Sequence, residues 1–225
     1  MSEAAIDHGH HMSAEEVARS NDNQKFAMWL YLASEIAIFS IFIGAYVIFR
    51  VREPEAVRAF HKGLGVTLVT INTFILLVSS WAMVMGLRAM QHGDRRGMLR
   101  WIGLTAILGI VFLAGQYIEY SELAHVEITL QHATISENNE LLHALNIDNV
   151  EAAREALGGF GMRFYVPTAF HGAHVFAGVL WALLVLWRGR KGRYDHNPVG
   201  IEVFGLYWHF VDVVWVLLFT LIYLI

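Results

Sequence analysis

The 225-residue chain contains no cysteine. It therefore forms no disulfide, no thiolate-ligated iron–sulfur cluster and no thiolate copper site of its own. Charge is also scarce: Asp, Glu, Lys and Arg make up 16% of the residues, with a net charge of −4. That balance provides no basic footprint, so nucleic acid is not an expected partner. The polar start of the chain lacks the apolar core of a signal peptide. The first long apolar run is then expected to serve as the insertion signal. Inverted repeats and paired Gly/Pro-broken apolar segments, which mark many secondary transporters, are missing too.

Apolar residues are what the chain has in quantity, 56% of the total, with a mean hydropathy of +0.46. They fall in five runs, approximately 26–49, 64–87, 99–120, 164–187 and 203–224. Each is roughly 20 residues or more, enough to cross a hydrocarbon core of about 30 Å as a helix. Isolated backbone in lipid satisfies its hydrogen bonds only as a helix, since a barrel needs shorter alternating strands. The expected fold is all-α: a polytopic bundle of five transmembrane helices. Residues 1–25 read as a polar cytoplasmic tail and 26–225 as the membrane domain, with an outer loop inserted at about 121–162, between helices three and four.

The tail holds His8, His10 and His11, readable as a weak metal-binding segment or as part of a disordered leader; Glu15, Glu16 and Arg19 suit a short surface helix. The outer loop is acidic. Residues 127–135 suit a short strand pair, and 148–157 a helix capped by Asp148 or Asn149. Gly158, Gly159 and Gly161 are expected to break that helix before the fourth span. Ten of the sixteen Lys and Arg residues lie on the N-terminal side of the membrane and six on the other. The positive-inside rule then puts the N-terminus in the cytoplasm and the C-terminus outside.

Ionisable side chains inside the spans are where chemistry is sought. Glu35 falls about ten residues into the first run, near mid-bilayer. It suits a proton-relay group or polar anchor in an internal cleft, or a protonated acid bonded to a neighbouring helix. His171 and His174 share one face of the fourth span. With His209 they suit either haem or metal ligation or interhelical hydrogen bonding, and the small residues Gly172, Ala173, Ala177 and Gly178 favour close helix approach. His209 and Asp212 stand three apart in the last span, so they should touch each other or share polar partners on another helix. Asn72 suits a helix–helix hydrogen bond. Glu119 suits an interfacial group that snorkels or caps the outer loop. Arg188, at the inner end of the fourth span, suits a phospholipid phosphate or simply the charge rule.

Several stretches are similar to one family. Tyr207-Trp208-His209-Phe210-Val211-Asp212-Val213-Val214-Trp215 resembles the last transmembrane helix of subunit III of the haem-copper oxidases, most closely the cytochrome c oxidases. Ser34-Glu35 with Ile36 to Phe39 resembles that family's Ser-Glu-rich span. Asn72-Thr73 with Leu76-Leu77, then His92-Gly93-Asp94-Arg95, resembles the next helix and inner loop. Gln116 to Glu122 resembles its Gln-x-x-Glu-Tyr-x-Glu element. Thr168 to Val175 resembles its Thr-Gly-Phe-His-Gly-x-His-Val element, with Ala169 in place of the glycine. The set covers all five spans in order. Two features depart from the common pattern. Many members have seven spans, and this chain starts at what would be their third, as several bacterial members do. The outer loop is also longer than usual.

The resemblance implies a subunit that binds no haem or copper, those cofactors residing in partner subunits. It implies a place in the bacterial plasma membrane beside oxidase subunits I and II, with structural phospholipids bound and proton uptake supported during oxygen reduction. Glu35 would be the family's membrane-embedded carboxylate and Arg188 its lipid-phosphate arginine. The outer loop would meet a partner on the outside face. Cytochrome c is the expected electron donor, with quinol as the alternative. A stand-alone haem-binding cytochrome, or a proton-coupled transporter using Glu35 and Asp212, are the competing readings from other classes.

Overall fold

A computed structural model describes residues 13–52, 54, 57, 66–125 and 150–225. Among these, every regular element is a helix: α1 (Ala14–Arg52), α2 (Val66–Gln91), α3 (Arg95–His125), α4 (Val150–Arg190) and α5 (Val199–Phe219), the last continuing as a π-helical turn over Thr220–Leu224. All five are long and apolar enough to cross a membrane. They run alternately up and down. The start of α1, the α2–α3 turn and the α4–α5 turn share one end, called here the near end.

The first helix starts earlier than the apolar run suggests. Ser13 and Glu16 form a reciprocal cap: the Ser13 amide donates to Glu16 Oε2 at 2.7 Å, and the Glu16 amide donates to Ser13 Oγ at 3.2 Å. Residues 14–25 therefore belong to one continuous helix with the first span. The tail histidines lie outside the described residues. So do 127–135, where a strand pair is expected. The predicted break at Gly158, Gly159 and Gly161 is not found, because α4 runs through all three. Glycine weakens a helix by about 1 kcal/mol relative to alanine but keeps its amide, so the hydrogen-bond ladder survives where packing supports it. Pro167, which does lack that amide, also lies within α4.

The most enclosed helix is α5, with 56% of its most apolar stretch buried against 28% for α1. It packs on α1, α2 and α4, while α3 closes the bundle against α2 and α4. Between lipid-bathed helices the hydrophobic effect adds little; close packing and hydrogen bonds hold them together. Both kinds of contact converge on α5. Trp208 Nε1 donates to Ser79 Oγ at 3.1 Å, and Trp215 Nε1 donates to Thr73 Oγ1 at 2.9 Å. Trp208 fits because Gly109 and Gly178 lack side chains: a Cβ at Gly178 would sit 2.7 Å from its ring, and one at Gly109 2.8 Å. Asn72 Nδ2 donates to the Phe112 carbonyl at 2.9 Å, tying α2 to α3. Gln116 Nε2 donates to the Thr168 carbonyl at 2.8 Å, tying α3 to α4.

The near end is fastened by polar turns. Lys25 and Glu202 form an ion pair at 2.6 Å, and Asn197 Nδ2 donates to Asn21 Oδ1 at 2.8 Å. Gly93 and Gly192 take positive φ, 76° and 73°, where the chain reverses between α2 and α3 and after α4.

Candidate functional site

Glu35 lies on α1 with its side chain turned to α4, and it is buried. Its Oε2 is 3.3 Å from His174 Nε2, with both side chains 11% exposed. That is ion-pair distance, although the approach is off-line for a hydrogen bond, so Oε2 has no hydrogen-bond partner within the described residues. The other ring nitrogen, His174 Nδ1, is 2.8 Å from the Phe170 carbonyl one turn back. A carbonyl only accepts, so Nδ1 carries the proton. Nε2, the ring nitrogen left facing Glu35, gives the buried carboxyl a polar neighbour, which lowers the cost of enclosing an acid among helices.

The walls around the pair are aromatic. His174 packs edge-on to Phe39 at 5.5 Å and Phe170 at 4.8 Å. Tyr207 OH donates to the His174 carbonyl at 2.8 Å, and the Tyr207 ring stacks on Tyr31 at 6.3 Å. Beside them Met28, Tyr31, Ala177, Trp181 and Tyr207 line an apolar recess of about 340 Å³ between α1 and α4. The arrangement places a carboxyl beside an imidazole, next to an opening suited to apolar chains.

The other polar residues named from sequence sit elsewhere. His209 meets α2, where Ser80 Oγ is 2.7 Å from its Nδ1, and the Asp212 carboxyl lies close to the same serine. Asp212 Oδ1 keeps no partner within the described residues. His171 is fully buried, stacked on Trp215 at 4.9 Å, with neither ring nitrogen hydrogen-bonded there. The three histidines thus face three different neighbourhoods, and no cluster of metal-ligating side chains is found among the described residues. Glu35 and Asp212 are likewise separate, one turned to α4 and the other to α2. Glu119 is buried, accepting from Tyr223 OH at 2.6 Å. Arg188 lies near Tyr194 of the α4–α5 turn; burial raises that phenol above its ordinary value, against the opposing pull of the guanidinium charge.

Sequence reasoning missed Ser80 and Thr73 as the α2 partners of α5. The signal was present: the polar pairs Asn72-Thr73 and Ser79-Ser80 recur after seven residues, which returns them to one helix face. Tyr120 was missed as well; its hydroxyl donates to Thr168 Oγ1 at 2.8 Å and accepts from Gln116 Nε2 at 3.1 Å.

Comparison with known proteins resolves what such a bundle is. The sequence profile described as "Cytochrome c oxidase subunit III" matches residues 1–135 and 141–225. The chain belongs to the cytochrome c oxidase subunit III family. Cytochrome c oxidase subunit 3 of Synechocystis sp. is 38% identical, over 97% of this chain and 79% of the relative. The protein of the same name from Thermostichus vulcanus is 35% identical, over 98% and 92%. A probable quinol oxidase subunit 3 of Staphylococcus epidermidis is 27% identical, over 89% and 88%. The family makes the chain a subunit III of a haem-copper oxidase, an integral membrane component of a multi-subunit complex. The Glu35–His174 pair therefore sits in a haem-copper oxidase subunit.

Proposed function

We propose that this chain is the non-redox subunit III of a respiratory haem-copper terminal oxidase that takes electrons from cytochrome c. In this reading it flanks and stabilises catalytic subunit I, assembles with subunit II, and holds structural phospholipids, one of them at Arg188. Haem and copper belong to the partner subunits. The N-terminus is cytoplasmic, the C-terminus lies outside the plasma membrane, and the acidic segment within 121–162 meets a neighbour on the outer side. The observation that carries the functional part is the buried Glu35–His174 pair beside an apolar recess. A titratable couple so placed suits an indirect part in proton supply, shaping the cleft while oxygen chemistry stays in subunit I.

The test is purification of the native complex in mild detergent, followed by oxygen consumption with reduced cytochrome c or with a quinol. Turnover on cytochrome c, with haem in the partners and a colourless isolated chain, is expected. Turnover on quinol alone would assign the complex to the quinol oxidases, a reading kept open by the Staphylococcus relative.

A further inference from the structure

At the far end of the bundle, opposite the α2–α3 turn, the packing closes around one phenol. Tyr223 stands in the π-helical turn after α5 and Glu119 on α3, and both are buried. Tyr223 OH donates to Glu119 Oε1 at 2.6 Å, a length typical of a hydroxyl on a carboxylate. The phenol ring lies 6.5 Å from the indole of Trp215, centroid to centroid. Trp208, seven residues earlier on α5, is about 10.5 Å further along the helix axis. Both indoles are 1% exposed. The three rings form a buried file along α5, and they differ in one respect. The N–H groups of Trp208 and Trp215 donate to the hydroxyls of Ser79 and Thr73, which take up no proton near neutrality. The Tyr223 hydroxyl donates to a carboxylate, which does. Tyr207 and Tyr120 also donate to groups that are not bases, the His174 carbonyl and Thr168 Oγ1.

We propose that Tyr223 and Glu119 are a redox-active pair, a sink for oxidising equivalents that reach the buried tryptophans of α5. The oxidant is a one-electron acceptor of high potential, such as an oxygen-derived radical. It takes an electron from Trp215 and leaves an indole radical cation. Trp215 then takes an electron from Tyr223. The phenolic O–H bond breaks as that electron leaves, and the proton bonds to the Glu119 carboxylate. The products are the reduced oxidant, a restored indole, a neutral phenoxyl radical and a carboxylic acid. Burial selects this site over the indoles. A cation held on an indole in the core carries its full desolvation cost, whereas oxidation of Tyr223 removes the buried negative charge of Glu119. A one-electron reductant such as ascorbate reverses the step, the proton returning from Glu119 to the phenol oxygen. The pair is a side branch, not a station between an electron donor and oxygen, and it requires nothing of the oxidase reading.

The experiment uses the full chain in the assembly in which it purifies from its membranes. A ruthenium polypyridyl complex, photo-oxidised by a flash in the presence of a sacrificial quencher, supplies the oxidant. The sample is frozen and its electron paramagnetic resonance spectrum recorded, and a tyrosyl signal is expected. Tyr223→3-fluorotyrosine keeps the ring's size and its hydrogen bond, and it should add a fluorine splitting to that signal. A tyrosyl signal without the splitting would overturn the proposal, as would a wild type that yields no tyrosyl signal. Glu119→Gln keeps an acceptor at that position but removes the base. By transient absorption it should slow tyrosyl formation about a hundredfold, the low side of what a positioned base contributes, and prolong the tryptophan radical. Equal rates in Glu119→Gln and wild type would reduce the hydrogen bond to a structural tie and overturn the pair. Tyr117→Phe, on the exposed side of α3, should leave the signal unchanged; its loss there would place the radical at the surface and refute the assignment. The measurement reads no turnover, so failure of the oxidase reading would not alter its outcome.

Discussion

Replacing His174 by alanine tests whether Glu35 depends on it. The imidazole stands 3.3 Å from the carboxyl and fills the space between Phe39 and Phe170. Its removal has two costs. A buried carboxyl left without a partner costs about 1–3 kcal/mol when it stays neutral. Deleting a packed ring leaves a void worth about 2 kcal/mol or more. His174→Ala should therefore destabilise the bundle by about 3–5 kcal/mol. Glu35→Gln keeps size and hydrogen bonding and should cost about 1 kcal/mol or less. With glutamine at 35 there is no acid to strand, so the double variant should cost less than the sum of the singles by about 1–2 kcal/mol. Retention of the subunit on its complex across a sodium dodecyl sulfate titration measures the cycle. Oxygen consumption, as initial rate and as activity lost over many turnovers, measures the functional side. Glu35→Gln should assemble and keep most of its initial turnover. Strictly additive single effects would refute the pairing. Loss of the first turnovers in an intact Glu35→Gln complex would place Glu35 on an obligatory proton path and refute its indirect role.

Gly178→Ala puts a methyl 2.7 Å and 2.9 Å from ring atoms of Trp208, which Gly109 and the Ser79 hydrogen bond hold on other sides. The expected cost is about 1–3 kcal/mol, read in the same titration. Adding Trp208→Phe should recover part of it, and no recovery would mean that the methyl is accommodated elsewhere. Ser80→Ala removes the hydroxyl that meets His209 and should cost about 1–3 kcal/mol; a loss no larger than that of Ser40→Ala, whose exposed hydroxyl bonds its own helix, would count against a polar tie between α2 and α5. Removing residues 126–149 should weaken complex assembly or coupling to the electron donor while the five spans still insert. Unchanged assembly and turnover would eliminate a partner role for that segment.

The spans were legible because twenty apolar residues in a row admit few structures in lipid, and the polar residue types inside them identified which positions must find partners. Asn72 donates to the Phe112 carbonyl on α3, and His209 Nδ1 lies 2.7 Å from Ser80 Oγ on α2. Pairing across the bundle was not legible. Nothing local to Glu35 or His174 states that α1 and α4 face each other, since that depends on how five helices rotate about their axes. Glu119 shows the same limit: nothing local to it states that Tyr223, in the turn that follows α5, donates to its carboxyl. The glycines at 158, 159 and 161 misled in the other direction. Their intrinsic helix-weakening is real but small, and the helix through them is continuous with a long packed span.

The central position of α5 has a consequence for biogenesis. It is the last of the five spans to leave the ribosome, and it carries the indoles and imidazole that pair with Ser79, Thr73 and Ser80. Until it arrives, those hydroxyls and the half-empty groove of Gly109 and Gly178 have no native counterpart. The first four spans are inserted before their own keystone exists, so tertiary closure must follow synthesis rather than accompany it. Nascent chains stalled ahead of α5 should accordingly remain bound to insertion machinery or be cleared by membrane proteases, while chains carrying it become resistant in a single late step.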